Sequence, residues 1–227
     1  MNDKLQHFLC VYMYELEKYL ETQKTEIQKI SLWQDEANTD RPLKEYLKNL
    51  IENSFYEIPR QTSINYLVVG EKSEIRVSTL MDMKISRVLL PEEITPAIKE
   101  LLITGKTSVY TNPDVCFEIE FQGHTFYESI ELKTTKKDSI PGSSVQQVTP
   151  DEWVIFVKFS KNDVEVTTGQ YINAINSSMQ FPDRSPRPQV AFSEICNWNT
   201  SNRLNVDGVL QFKEDENSLL KHELLSD

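Results

Sequence analysis

Residues 113–133, PDVCFEIEFQGHTFYESIELK, contain two runs of alternating apolar residues on either side of Gln122-Gly123. A short polar loop with a glycine between two such runs is typical of a β-hairpin. We therefore expect the two runs to pair antiparallel across a two-residue loop, with Phe121 opposite His124. In this register, Asp114 lies directly opposite Glu131.

The two faces of the predicted hairpin differ in polarity, because successive side chains of a strand point to opposite sides of the sheet. One face is apolar except for Glu128 and comprises Val115, Phe117, Ile119, Phe121, Phe126, Ile130 and Leu132. The other face carries Asp114, Cys116, Glu118, Glu120, Thr125, Tyr127, Ser129, Glu131 and Lys133. We expect the apolar face to pack into the core, so that the opposed acids lie on the polar face.

Asp114 and Glu131 form a pair of facing carboxylates in this register. Directly opposed side chains have Cβ atoms roughly 4.5–5.5 Å apart, and like charges at that spacing are destabilising. Such a pair needs a compensating cation, or one of its members must be protonated. Lys133 follows Glu131 by two residues and lies on the same side of the strand. Two carboxylates able to share a divalent ion, beside a lysine, are the groups that metal-assisted attack on a phosphodiester requires.

Pro113-Asp114, followed by Glu131-Leu132-Lys133 at the end of the next strand, resembles the signature of the PD-(D/E)xK nuclease superfamily. The continuation KTTKKDSIPGSSVQQ, residues 133–147, resembles a type II restriction endonuclease more than the MutH-like nicking enzymes. The resemblance covers about the middle third of the chain. It implies an α/β fold with a restriction-endonuclease-like core, in which helices flank a central mixed β-sheet.

The resemblance also implies roles for individual residues. Asp114 and Glu131 would bind Mg²⁺, for which Mn²⁺ is expected to substitute, with help from the Leu132 carbonyl and an acidic residue of a preceding helix, Glu45. Lys133 would position the attacking water or stabilise the transition state. The expected reaction cuts double-stranded DNA to 5′-phosphate and 3′-hydroxyl ends. A palindromic target would favour a homodimer, because the symmetry of the protein and of the site must match.

The formal net charge of -11 argues against a general nucleic-acid coat protein, because affinity for phosphates comes from lysine and arginine. It does not exclude a DNA enzyme, because the distribution of charge counts for more than its sum. Basic and polar side chains follow the predicted site in the sequence. The DNA-contact candidates are Lys136, Lys137, Ser143, Ser144, Gln146, Gln147, Asn173, Arg184 and Arg187.

The remaining elements are predicted from hydrophobic periodicity and from Pro and Gly positions. Helices are expected at residues 3–22, from Asp40-Arg41-Pro42 onward, and at 96–102, 168–179 and 218–225. Strands are expected at residues 63–69, 73–80, 85–90, 153–159 and 189–196. The first two of these strands would form a hairpin, and the 153–159 strand is apolar enough to be buried on both faces.

We expect residues 1–105 to supply a scaffold or DNA-recognition region and residues 106–227 the catalytic core, within one compact unit. Three widely spaced cysteines and the lack of a long apolar run suit a reducing cytoplasm and no membrane span. Two alternatives to the restriction enzyme stay open. One is a MutH-like repair nickase, and the other is a non-catalytic binding or scaffold protein whose acidic sheet face meets a basic partner.

Overall fold

The structure is a computed structural model of the chain and describes residues 2–30, 40–70, 74–103, 113–142, 149–176 and 189–213. Its five described helices are α1 (Asn2–Thr22), α2 (Lys24–Gln28), α3 (Arg41–Ser54), α4 (Pro96–Ile103) and α5 (Phe192–Asn202). The predictions of α1, α3 and α4 are confirmed. Pro42 lies in the first turn of α3, where its missing N–H has no intrahelical partner to lose.

The described strands form three sheets. The strands are β1 (Tyr66–Val69), β2 (Ile75–Arg76), β3 (Lys84–Leu89), β4 (Val115–Phe121), β5 (His124–Thr135), β6 (Ser139–Pro141), β7 (Trp153–Phe159), β8 (Val164–Gln170), β9 (Gln189–Ala191), β10 (Arg203–Val206) and β11 (Val209–Phe212). The largest sheet has the order β3-β4-β5-β7-β8, and the β5–β7 pair is parallel whereas its other pairs are antiparallel. Smaller sheets pair β10-β11-β1-β2 and β6-β9. The large sheet is therefore mixed, as expected.

The β4–β5 hairpin has the predicted register. Phe121 pairs with His124, and the ladder continues in step to the pair Val115 and Ile130. Gln122 and Gly123 both have positive φ, 49° and 78°, which matches the right-handed twist of a two-residue hairpin turn. Asp114, one residue before β4, therefore lies across from Glu131.

Helices cover both faces of the large sheet. On one face, alternate residues of β4, β5 and β7 join a hydrophobic cluster with α1 and α3. On the other face, Val154 and Phe156 of β7 pack with α5, while Cys116 of β4 packs with Leu102 of α4. The apolar strand β7 is buried on both sides for this reason. An α/β fold with a mixed sheet between helices is thus shown.

Glu128, the acidic residue on the apolar face of the hairpin, is buried and lies beneath α1. Its Oε2 accepts a hydrogen bond of 3.4 Å from Gln6 Nε2 of that helix. Phe8 and Tyr12 of α1 are core residues, Tyr14 and Tyr19 are half-buried against the core, and the Tyr12 hydroxyl donates to the Phe55 carbonyl at 2.8 Å.

Two predicted elements beyond the hairpin are wrong. In the described part of the predicted helix at 168–179, no α-helix forms: residues 168–170 belong to β8, and a short 3₁₀ turn, Tyr171–Ala174, follows. The strand predicted at 189–196 ends at Ala191, where α5 begins with Phe192. The predicted helix at 218–225 lies outside the described residues. The predicted order strand, helix, strand after the hairpin is therefore replaced by the paired strands β7 and β8, then the short strand β9 and the helix α5.

The main hydrophobic cluster contains residues from both sides of position 105, with α1 and α3 packed against β4, β5 and β7. Residues 1–105 and 106–227 thus share a core in the described part of the chain. No helix in the described ranges is long and apolar enough to cross a membrane.

Candidate active site at the open end of the hairpin

Asp114 is held by backbone and side-chain donors from two elements. Its Oδ2 accepts a hydrogen bond of 2.9 Å from the backbone N–H of Leu132, across the hairpin. Its Oδ1 accepts a hydrogen bond of 2.6 Å from Lys44 Nζ of α3. The Asp114 side chain keeps 23% of its surface exposed, so the carboxylate lies at the rim of the fold.

Glu131 lies deeper than Asp114 and forms an ion pair with Lys133. Its residue is only 7% exposed. Burial, and then the charge of Asp114, raise the pKa of the Glu131 carboxyl from 4.5 to about 7. Lys133 acts in the opposite direction, and Glu152 raises the pKa further. The structure thus brings together the three predicted catalytic residues, Asp114, Glu131 and Lys133, within electrostatic contact.

Lys44 is a site residue that sequence reasoning missed. Besides Asp114, its ammonium lies 3.4 Å from Asp40 Oδ1, at the N-terminal end of the same helix. Burial lowers the pKa of Lys44, but the charges and hydrogen bonds of Asp114 and Asp40 outweigh burial and raise it overall. A sequence signal existed, because Lys44, Leu47 and Ile51 share the buried stripe of α3.

Glu152 is the second missed residue. It directly precedes β7, is 3% exposed, and raises the pKa of Glu131 through its charge. A buried acid near two others is costly, and such groupings concentrate at functional sites. Its position before an apolar strand gave no spacing pattern that would have identified it.

Glu45, predicted as a further metal ligand, is placed elsewhere. Its Oε1 accepts a hydrogen bond of 2.7 Å from Arg41 Nε, and its side chain is 53% exposed. Arg41 in turn binds Glu92 through two hydrogen bonds of 2.8 and 2.6 Å. Neighbouring residues of a helix point about 100° apart, so α3 presents Lys44 to Asp114 while Glu45 faces outward. The residue that α3 contributes is a cation, and the assignment of Glu45 is corrected accordingly.

The predicted DNA contacts divide into three groups. Lys136 and Lys137 are exposed directly beyond the end of β5, on the strand that carries Glu131. Asn173 is 2% exposed in the turn after β8, so the expected exposed position is corrected: its amide does not reach the surface. The other candidates lie outside the described residues; they are Ser143, Ser144, Gln146, Gln147, Arg184 and Arg187.

The carboxylates fit a divalent cation with hard oxygen ligands. In the described ranges, no three His, Cys, Asp or Glu side chains form a group that could hold a metal. Mg²⁺, however, usually binds one or two carboxylates together with water and substrate phosphates, rather than a complete protein cage. Asp114 and Glu131 supply such a pair; burial, and then the charge of Asp114, raise the pKa of Glu131 despite the opposing effect of Lys133. A cation between them would relieve that repulsion.

Comparisons of the chain with protein-family models, with curated proteins and with solved structures gave no match. Evidence on function therefore comes from the geometry of the site and from the resemblance of its motif.

Proposed function

We propose that this protein is a Mg²⁺-dependent endonuclease that cuts double-stranded DNA at a specific sequence, as type II restriction enzymes do. The observation that carries the proposal is the meeting of Asp114 and Glu131 across one hairpin, with Lys133 paired to Glu131. The motif alone is short, but the fold brings its separated parts to one place. Burial, and then the charge of Asp114, also raise the pKa of the Glu131 carboxyl, and perturbed pKa values cluster at functional sites.

Each residue of the motif has a role in this reaction. Asp114 and Glu131 would hold the metal, whose chemistry is to acidify the attacking water and offset charge on the scissile phosphate. Lys133 would orient that water or stabilise the negative charge that develops on phosphorus oxygens. Because Lys133 is tethered to Glu131, its ammonium is already positioned before substrate arrives.

Exposed lysines beside the site provide for binding of the DNA backbone. Lys136 and Lys137 follow the catalytic strand directly and would neutralise phosphates near the point of cleavage. They supply positive charge beside the site in a chain whose overall charge of -11 disfavours DNA, because the distribution of charge counts for more than its sum. The proposal includes a homodimer on a palindromic site, 5′-phosphate and 3′-hydroxyl products, and a cytoplasmic location.

Incubation of supercoiled plasmid with the protein and Mg²⁺ tests the proposal directly. We expect discrete linear fragments with Mg²⁺ or Mn²⁺, and intact plasmid with EDTA. Asp114→Asn is the matched inactive variant, because it keeps the shape and an acceptor for the Leu132 N–H but removes the charge. Sequencing of the fragment ends would then define the target and the position of the cut.

Other products would overturn parts of the proposal. Nicked circles without linear DNA would favour the MutH-like nickase. Plasmid that stays supercoiled over a range of Mg²⁺ concentrations and plasmid sequences would favour the non-catalytic alternative. Cleavage that Asp114→Asn leaves unchanged would show that another site, or a contaminant, cuts the DNA.

A further inference from the structure

Lys44 and the backbone of the hairpin occupy the two carboxylate oxygens of Asp114. Oδ1 accepts a hydrogen bond of 2.6 Å from the Lys44 ammonium, and Oδ2 accepts one of 2.9 Å from the Leu132 N–H. Both oxygens of the proposed metal ligand are therefore engaged by donors of the protein itself. A divalent cation that uses Asp114 must displace or share the ammonium, and two cations on one carboxylate repel each other.

Asp40 gives Lys44 a second carboxylate, 3.4 Å from its ammonium. Removing the partner of a buried charge is strongly destabilising, because the charge is left uncompensated. Lys44 would avoid that penalty on turning from Asp114, because Asp40, the residue before the start of α3, lies four residues before it. The ammonium thus has two alternative partners within one side chain's reach. The Asp40 and Asp114 side chains are 19% and 23% exposed, so both carboxylates keep part of their surface in contact with solvent.

We propose that Lys44 couples metal binding to DNA binding. In the free protein its ammonium occupies Asp114 and weakens binding of the divalent cation. When DNA is bound, the Lys44 ammonium pairs with a backbone phosphate while it remains paired with Asp40. Asp114 is then available to bind the metal. The inference depends on the proposed function and adds to it the residue that keeps the metal site from filling before substrate arrives.

The first test measures Mn²⁺ binding to the DNA-free protein by electron paramagnetic resonance. Lys44→Met is expected to bind Mn²⁺ about tenfold more tightly than the parent, the effect of removing one ion pair worth about 1.4 kcal/mol. Lys44→Gln, which keeps a hydrogen-bond donor without the charge, is expected to behave in the same direction. Lys48→Met is the matched control, because Lys48 lies one turn later on α3 and pairs with Glu93 instead. It should leave Mn²⁺ affinity unchanged.

The second test uses the reciprocity of coupled binding. In a Lys133→Ala background, chosen to prevent cleavage, the affinity for duplex DNA is measured by fluorescence anisotropy with and without Mn²⁺. Metal should tighten DNA binding when Lys44 is present, and Lys44→Met should reduce that enhancement about tenfold. If Mn²⁺ changes the DNA affinity equally with and without the Lys44→Met substitution, the coupling is overturned.

The outcomes separate this inference from the proposed function. Mn²⁺ binding that Asp114→Asn abolishes, but that Lys44→Met and Lys44→Gln leave unchanged, overturns the role of Lys44 and leaves the metal site intact. Absence of Asp114-dependent Mn²⁺ binding in every variant, with and without DNA, overturns both. Thermal unfolding of each variant shows whether it is folded, and the Gln variant serves where Met lowers the unfolding temperature.

Discussion

Two buried clusters of charged residues lie on the large sheet, and they are built differently. In the first cluster, on the α1 side of the edge strand β8, Glu17 of α1 meets Arg203 at 2.5 Å, and its Oε2 also accepts a hydrogen bond of 2.5 Å from the Thr168 N–H. The hydroxyls of Thr167 and Thr168 donate to the same oxygen at 3.2 Å. Here one acid is surrounded by donors from α1's neighbours β8 and β10, so its charge is well compensated.

The cluster at Asp114, Glu131 and Glu152 has the opposite character. There the acids face one another, and their repulsion adds to burial in raising the pKa of Glu131 to about 7. The Glu17 network therefore stabilises the packing of α1 on its neighbouring strands, whereas the acidic cluster is unfavourable in the metal-free protein. Natural proteins tolerate such local conflict mainly where function requires it. We therefore expect substitutions in the two clusters to have opposite effects on stability and activity.

The largest expected effect is on cleavage. Lys133→Ala should lower the cleavage rate by at least about 10²–10³-fold, the usual loss when one charge-stabilising group is removed. DNA binding should change little, because Lys136 and Lys137 remain. Lys158→Ala is the matched control, because Lys158 is also a strand lysine but pairs with Glu165 outside the site. If Lys133→Ala cuts plasmid as fast as the parent, the active site is assigned to the wrong residues.

The next effect is on stability and concerns the Glu17 cluster. Arg203→Met should lower the free energy of unfolding by about 3–5 kcal/mol, because it leaves the Glu17 carboxylate without its cation. Urea unfolding followed by circular dichroism measures the change. Lys29→Met, at an ion pair in which both side chains are more than half exposed, should change it by less than about 1 kcal/mol. Equal effects of the two substitutions would remove the contrast between the clusters.

Glu131→Gln should have the opposite sign and stabilise the metal-free protein. The folded-state pKa of Glu131 is raised to about 7 from 4.5, so the folded protein binds its proton more tightly than the unfolded chain. Its destabilising contribution therefore appears as pH rises from about 4.5 to about 7 and is constant above that range. At pH 8 in EDTA we expect a gain of about 1–3 kcal/mol, with little difference at pH 4.

Urea unfolding of Glu131→Gln and the parent across this pH range gives the measurement. A stability difference that stays constant from pH 4 to pH 8 would show that Glu131 is not held in conflict with its neighbours. The same variant should be inactive in cleavage, so its stability and activity should change in opposite directions.

The smallest expected effect comes from one hydroxyl of the compensated cluster. Thr168→Val keeps the shape of the side chain but removes a hydroxyl whose single proton has two acceptors within reach, the Met13 carbonyl and Glu17 Oε2. We expect a loss of about 1–2 kcal/mol in the free energy of unfolding. Thr200→Val, at an exposed hydroxyl of α5 that donates to the Cys196 carbonyl, should cost less than about 0.5 kcal/mol.

The hairpin was predictable because its alternation, its loop and its register are all local properties of one segment. Once Phe121 was paired with His124, the meeting of Asp114 with Glu131 followed from counting. The helices with strong apolar stripes, α1 and α3, were predictable for the same reason. These elements position the proposed catalytic residues, so the main geometry of the site was available from the sequence.

The wrong elements followed from packing between distant segments. Tyr171 and Ile175 have helical spacing, but the preceding residues are β-branched and pair with β7 to form β8. Gly169 in that strand permits close approach of α5, because a Cβ there would lie 2.9 Å from Ile195 Cγ2. Apolar residues at 189–196 alternate as in a strand, yet they bury one side of α5 against the sheet. Local pattern cannot distinguish these choices.

Lys44 and Glu152 were missed for a related reason. Both lie outside the motif in the sequence. Lys44 belongs to the site because it contacts Asp114, and Glu152 because its charge acts on Glu131. The position of Lys44 on the buried stripe of α3 could have been recognised in the sequence, because a charged residue there needs a partner. The identity of that partner, Asp114, required the position of α3 against the sheet.

The turn at Gln122-Gly123 fixes which face of the sheet Asp114 occupies, although Asp114 lies roughly 23 Å along the strand at about 3.3 Å per residue. Because side chains alternate, loss of one codon between the turn and Asp114 would shift every preceding position by one step and send its carboxylate to the apolar side. The chain would still have all its acids and lysines. In related sequences, insertions and deletions in either strand of this hairpin are therefore expected to involve even numbers of residues, even where the residues themselves are replaced.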